Sequence, residues 1–207
     1  NRILRRGAVI RKLHAVETLG CAGVICTDKT GTITQNKMTV QRIWVPGRTL
    51  NVSGSGYRAQ GAVEENGRLV QAARDAALGR LCEAASLCTT AHITRAKDVY
   101  DVMGDPTEVA VLVAAAKAGV TKEALLQQYT VIGENPFDAA RKRMSVTVSG
   151  PGGVRLLCKG APDMLLARCT HIETPAGPRL LAPRDRADIN AACARMAGEA
   201  LRVLGFA

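Results

Sequence analysis

The rhythm of apolar and polar positions changes several times along this 207-residue chain. Residues 23–27 form a short apolar run that breaks into the polar Asp28-Lys-Thr-Gly-Thr32. The pattern predicts a buried strand with a loop at its carboxyl end, which is the edge of an open α/β sheet where ligands bind. Residues 38–45 predict a second strand, stopped by Pro46-Gly47. From Ser53 to Gly67 turn residues dominate, which reads as a plain loop or hairpin. Gly54-Ser-Gly56-Tyr-Arg-Ala59 fits the weak dinucleotide pattern in form only, because no helix opens from it to face a pyrophosphate.

Within residues 69–88 the apolar positions 70, 73, 77, 81, 84, 85 and 88 fall three and four apart, the spacing of a helix with one buried face. Residues 89–104 read as a loop. Pro106 suits the first turn of a helix over 107–118, ended by Gly119, and a short helix is expected at 122–128. Strands are then predicted over 129–134, 144–149 and 154–158, the last two joined through Gly150-Pro-Gly-Gly153. Helices at 162–167 and 184–200 and a strand at 201–206 complete the expectation. No internal repeat or low-complexity tract is present.

Composition narrows the class. With 47% hydrophobic residues and few aromatics, the chain is globular rather than disordered. Its longest wholly apolar run, residues 109–116, is far below the roughly 20 residues of a membrane-spanning helix. With no start methionine and no signal peptide, it is expected to be a segment of a longer protein. Seven cysteines lack the CxxC spacing of metal or redox sites and read as reduced, mostly buried thiols. The net charge of +10 gathers at Arg2, Arg5, Arg6, Arg11 and Lys12 and again at Arg141-Lys-Arg143. A nucleic acid, an anionic membrane surface, a phosphorylated small molecule or a merely solvated face would each suit such clusters.

The chemistry starts at Asp28. Alone, an Asp in such a loop is more often a cap or turn residue than a catalytic one. A carboxylate can also attack a phosphoryl group to form an aspartyl phosphate, a reaction that needs positioned cations and backbone donors. Asp28, Lys29, Thr30, Gly31 and Thr32 supply that kit: Gly31 lets the backbone approach, the two hydroxyls can bond phosphate oxygens, and Mg2+ would bridge carboxylate and phosphate. The full DKTGT, continued by Ile33 and Thr34, resembles the phosphorylation motif of the P-type cation-transporting ATPases. The resemblance implies Asp28, Lys29 and Thr30 as catalytic residues, with Asp28 and Thr30 as ligands of Mg2+. Related phosphatases of the haloacid dehalogenase class commonly carry a second Asp where this chain has Thr30, so a long-lived aspartyl phosphate fits better than a simple phosphatase.

Three later stretches resemble the nucleotide-binding domain of the same pumps: Gly104-Asp-Pro-Thr-Glu108, Phe137-Asp-Ala-Ala-Arg-Lys142-Arg-Met-Ser145 and Lys159-Gly160-Ala-Pro-Asp163, the last with Asp where the family usually has Glu. No P-loop occurs. Phe137 offers a ring on which adenine can stack, against the plainer role of a core Phe. Glu108 could accept from the adenine amino group or simply favour a helix amino end. Lys159, followed by the small Gly160, can reach a nucleotide without crowding. Lys142 would line the same pocket, and Arg202 matches an arginine near the phosphates.

The resemblance implies an α/β (α+β) fold, a mainly antiparallel sheet flanked by helices, preceded by a partial Rossmann-like segment. Residues 1–38 would be the stalk end and first part of the phosphorylation domain, and 39–207 the nucleotide-binding domain without its last strand. Residues 11–20 resemble the link from the fourth membrane helix, which would place the chain on the cytoplasmic side of an integral membrane protein. Implied partners are ATP, the remaining phosphorylation, actuator and membrane domains, and a transported cation, with Ca2+ favoured by FDAARKRMSV and KGAPD. Neither a GDGxND nor a TGE motif occurs, so the segment alone is expected to bind ATP weakly without turnover. A nucleotide-binding module without catalysis, or a pump for another cation, remains open. Nucleic acid is the weakest reading, because no interleaved aromatics or reading module accompany the charge.

Overall fold

The computed structural model describes residues 18, 20–96 and 99–207. The basic cluster at residues 2–12 and most of the link at 11–20 lie outside them. The chain divides into two compact units, Asn1–Asn36 and Lys37–Ala207.

In the first unit the strand expected at 23–27 does not form. A strand needs a neighbour for its N–H and C=O groups, and among the described residues every ladder is built within 42–206. Val24 and Ile25 are accordingly 81% and 79% exposed. The polar stretch that follows is a turn, as its composition demands. Lys29–Ile33 wraps once, closed by the Thr34 N–H donating to the Lys29 carbonyl at 3.0 Å. Gly31 takes φ +78° inside it, a left-handed conformation that suits a residue without Cβ.

The second unit opens with a four-stranded antiparallel sheet in the order β1 (Arg42–Val45), β2 (Arg48–Val52), β3 (Val63–Glu65), β4 (Arg68–Leu69). The helix expected from residue 69 begins later, as α1 at Ala76–Leu87. The Val70 N–H is still drawn to the Val63 carbonyl at 2.8 Å, and Asp75 then caps the helix through the Leu78 N–H at 3.0 Å. Asp75 also pairs with Arg48, tying the cap to β2.

The expected loop at 89–104 contains a hairpin, β5 (His92–Ala96) and β6 (Val99–Met103). Ile93 faces Val102 across it, and both pack against Val109, Leu112 and Val113, so burial explains a pairing that the mixed composition hid. α2 (Pro106–Lys117) starts at Asp105, whose carboxylate accepts the Thr107 N–H at 2.8 Å. α3 (Lys122–Leu126) is capped by Thr121.

β7 (Thr130–Asp138), β8 (Arg143–Gly150), β9 (Gly153–Gly160) and β12 (Gly205–Phe206) form a second antiparallel sheet in the order β12-β9-β8-β7. The strand expected over 201–206 is thus reduced to two residues. α4 (Pro162–Leu166), the two-stranded ribbon β10 (His171–Ile172) and β11 (Arg179–Leu180), and α5 (Pro183–Gly198) lie between β9 and β12 in the chain. The ribbon was not foreseen. The result is a mixed fold of helices and antiparallel sheets, in the expected class.

Helix α1 serves two cores along its length. Ala77, Leu78 and Cys82 pack with Ile43, Leu50 and Val63 of the first sheet, while Ala84, Leu87 and Cys88 pack with Met144, Val146 and Leu157 of the second. Leu78 and Leu87 are essentially fully buried, each worth roughly 1.5–3 kcal/mol. Of the seven free cysteines only Cys82 and Cys88 are buried, fewer than composition suggested.

Candidate functional site

Alternation along β8 and β9 decides which side chains face inward. Met144, Val146 and Val148 point to the core, and their cross-strand partners are Lys159, Leu157 and Arg155. Lys159 therefore enters the protein on the same face as Leu157, and it is only 8% exposed. A buried ammonium needs a partner. It has one: its Nζ lies 2.5 Å from Oε1 of Glu108.

Glu108 is the third residue of α2, in the first turn where the helix dipole favours negative charge. Its other oxygen, Oε2, accepts from the Thr89 hydroxyl (2.9 Å), the Thr90 N–H (3.0 Å), the Thr90 hydroxyl (2.9 Å) and the Ala91 N–H (3.0 Å). Burial pushes the carboxyl up, but the bond to Lys159, its charge, and the hydroxyls of Thr89 and Thr90 outweigh that and hold it at about 2. The 89–91 turn reaches this carboxylate because Gly104, just before α2, lies directly on Ala91. A Cβ at Gly104 would fall 2.8 Å from the Ala91 Cα.

The other site candidates of this unit lie around the same end of the second sheet. The β7–β8 ladder is irregular between Asn135 and Asp138, and Phe137 sits in that irregularity with its ring 65% exposed. It does not belong to the core. Asp138 organises the turn that follows, accepting from the Arg141 N–H through Oδ1 and from the Lys142 N–H through its carbonyl, both at 2.7 Å. Lys142 has φ +51°, and its carbonyl accepts the Ala161 N–H at 3.1 Å. Gly160 is the residue that permits this contact, since a Cβ there would lie 2.4 Å from the Lys142 carbonyl oxygen. Arg202 is exposed in the segment leading to β12, where Gly205 pairs with Gly160 and Phe206 with Lys159.

The three residues of the first unit have a simpler setting. Asp28 caps its turn by accepting the Lys29 N–H at 2.7 Å, and Lys29 and Thr30 are exposed with it. Asp28 and Thr30 offer hard oxygen donors of the type Mg2+ takes. Among the described residues no cluster of three or more His, Cys, Asp or Glu could hold a metal ion.

The structure thus joins Glu108 to Lys159 directly and brings the Lys142 carbonyl against Gly160, where it accepts the Ala161 N–H. It adds three residues that sequence reasoning missed: Thr89, Thr90 and Lys122, whose Nζ donates to the carbonyls of Thr89 (3.0 Å) and Ala91 (2.9 Å). A threonine pair at the end of an apolar helix was the available signal.

Residues 77–207 match the family model described as P-type ATPase, cytoplasmic domain N. The Calcium-transporting ATPase of Bacillus subtilis (strain 168) is 40% identical over 207 residues, covering all of this chain and 23% of that protein. The Cation-transporting ATPase pma1 of Synechocystis is 37% identical over 212 residues, with 100% and 23% covered. The Calcium-transporting ATPase type 2C member 1 of Homo sapiens is 35% identical over 212 residues, with 100% and 22% covered. The chain spans less than a quarter of the length of these relatives. No helix among the described residues is long and apolar enough to cross a membrane. The chain belongs to the P-type ATPase family, and its residues 77–207 match that family's cytoplasmic domain N.

Proposed function

We propose that this chain is the ATP-binding and phosphorylation-site segment of an ATP-driven cation pump, on the cytoplasmic side of its membrane. The observation that carries the proposal is the occurrence, in one chain, of DKTGT at residues 28–32 and a domain N sequence over residues 77–207. Residues 1–38 belong on this reading to the phosphorylation domain and 39–207 to the nucleotide domain. Calcium is the favoured cation because two of the relatives carry it in their names, while another is named only for a cation.

In the nucleotide domain the exposed Phe137 ring stacks on adenine. Glu108, with Oε2 filled by four donors, offers Oε1 to the exocyclic amino group in place of Lys159. The freed Lys159 ammonium then meets the anionic part of the nucleotide, together with Lys142, and Gly160 leaves room for it. Arg202 supplies charge nearer the phosphates. In the phosphorylation segment a carboxylate oxygen of Asp28 attacks the γ-phosphorus, the bond to the β–γ bridging oxygen breaks, and ADP leaves with that electron pair. Lys29 and the Thr30 hydroxyl neutralise and orient the transferred group. Mg2+, when bound at Asp28 and Thr30 with ligands from elsewhere in the parent, supplies charge neutralisation.

The deciding experiment uses the full-length parent with γ-labelled ATP. Acid-stable label on the wild type and none on Asp28→Asn is the expected result. Retained label on Asp28→Asn would overturn Asp28 as the phosphoryl acceptor, and no label on the wild type would leave the second reading, a module that binds nucleotide without catalysis.

A further inference from the structure

The turn at residues 89–91 is held from both sides. Toward Glu108 it presents two N–H groups and two hydroxyls, all ending on Oε2. Away from Glu108 it presents the carbonyls of Thr89 and Ala91, and both accept from the same Lys122 ammonium. Lys122 is the first residue of α3, and the backbone just before it is anchored to the end of α2 by the Val120 N–H on the Ala115 carbonyl at 2.9 Å. Burial lowers the Lys122 pKa while Glu108 opposes the fall. A half-buried lysine that spends its donors on two main-chain carbonyls acts on the geometry of that main chain.

We infer that Lys122 is a positioning residue for base recognition. By drawing the two carbonyls to one side, it turns the intervening N–H groups to the other, where they converge on one oxygen of Glu108. The carboxylate then has no freedom to rotate, and only Oε1 faces the ligand. A fixed carboxylate whose Oε2 is already filled and whose Oε1 faces the ligand favours a base that presents an amino N–H at that edge and disfavours one that presents a carbonyl, which leaves two acceptors opposed. Lys122 therefore contributes to the choice between adenine and a 6-oxopurine without touching either. The inference rests on the nucleotide-binding reading given above.

The test is a calorimetric titration of this chain with ATP and with ITP, whose base carries a carbonyl in place of the amino group. Wild type is expected to prefer ATP by about tenfold or more, and Glu108→Gln to lose most of that preference. Lys122→Met should cut the ATP:ITP ratio about fivefold or more, and Lys122→Arg should restore over half of it. Should Lys122→Met fold poorly, Thr90→Val removes one of the converging hydroxyls at an exposed position and should lower the ratio in the same direction. An unchanged ratio in Lys122→Met and Thr90→Val, or an equal loss of both nucleotides in Lys122→Met, overturns the positioning role. If wild type binds neither nucleotide, or Glu108→Gln leaves the ratio untouched, it is the nucleotide-binding reading itself that fails.

Discussion

Asp28 and Glu108 are both carboxylates for which we propose a part in nucleotide chemistry, and their surroundings could hardly differ more. Asp28 caps a turn with no buried residue, accepts one bond from the next residue's N–H, and follows an apolar run left open to solvent. Glu108 is met by an ammonium, two hydroxyls and two backbone N–H groups drawn from two separate parts of the chain, the 89–91 turn and β9. A recognition carboxylate works by staying where it is, so its partners lie within the domain that folds around it. On the proposed reading Asp28 has to meet a phosphorus atom brought from elsewhere, and among the described residues the bonds of its turn are local.

The contrast is sharpest in stability. Glu108→Ala leaves the Lys159 ammonium buried without a counter-charge, strips the Thr90 N–H of its acceptor and leaves the Ala91 N–H only the Thr89 hydroxyl oxygen, a loss of about 3 kcal/mol. Lys159→Met should cost less, about 1–2 kcal/mol, because Glu108 keeps its other donors and a Met side chain suits the neighbouring Met144 and Leu157. Asp28→Ala should stay within about 0.5 kcal/mol of wild type. Urea unfolding of the four proteins checks all three values. Similar midpoints for Asp28→Ala and Glu108→Ala would dissolve the comparison.

Phe137 separates binding from stability inside the second unit. Since its ring is mostly exposed, Phe137→Ala should leave the unfolding midpoint within about 0.5 kcal/mol of wild type. ATP affinity should nevertheless fall by about 1–3 kcal/mol, the worth of one base stacked on an aromatic ring. Calorimetric titration beside a urea melt reads both. A large loss of stability with unchanged affinity would make Phe137 a structural residue after all.

How far the site could be read from sequence depends on where each residue's partners lie. Asp28 and its turn are local, so Asp-Lys-Thr-Gly-Thr was legible as a loop, while the strand before it was misread because a strand exists only by pairing and no ladder among the described residues reaches it. The helix over 106–117 was legible from Pro106, its apolar run and Gly119. Lys159 illustrates the opposite case. On β9 the more apolar face by sequence is Val154, Leu156 and Cys158, yet Val154 and Leu156 are 65% and 57% exposed, and the inward face is Arg155, Leu157 and Lys159. Only the fixed register with Met144, Val146 and Val148 settles the direction, and register is a tertiary property. Thr89, Thr90 and Lys122 escaped for the same reason, because what places them beside Glu108 is hydrogen bonds to residues 18 to 33 positions away.

The smallest expected effect tests the electrostatics of Glu108 directly. Its carboxyl, near 4.5 when unconstrained, is held at about 2 in the fold, because Lys159 and the threonine hydroxyls outweigh the opposing effect of burial. A depressed carboxyl pKa stabilises the folded state fully above about pH 4.5, loses that contribution as pH falls toward about 2, and contributes nothing below. Glu108→Gln cannot titrate, so the gap between its urea midpoint and that of wild type should close across this window, by about 1–2 kcal/mol once solvent contact is allowed for. Asp185, also drawn down to about 2 by Arg179 and the Ala182 N–H, titrates in both proteins and cancels from the difference. A gap that stays constant from pH 6 to pH 2.5 would show that Glu108 is held by shape rather than by charge, and its likeness to the loosely held Asp28 would then be closer than the geometry indicates.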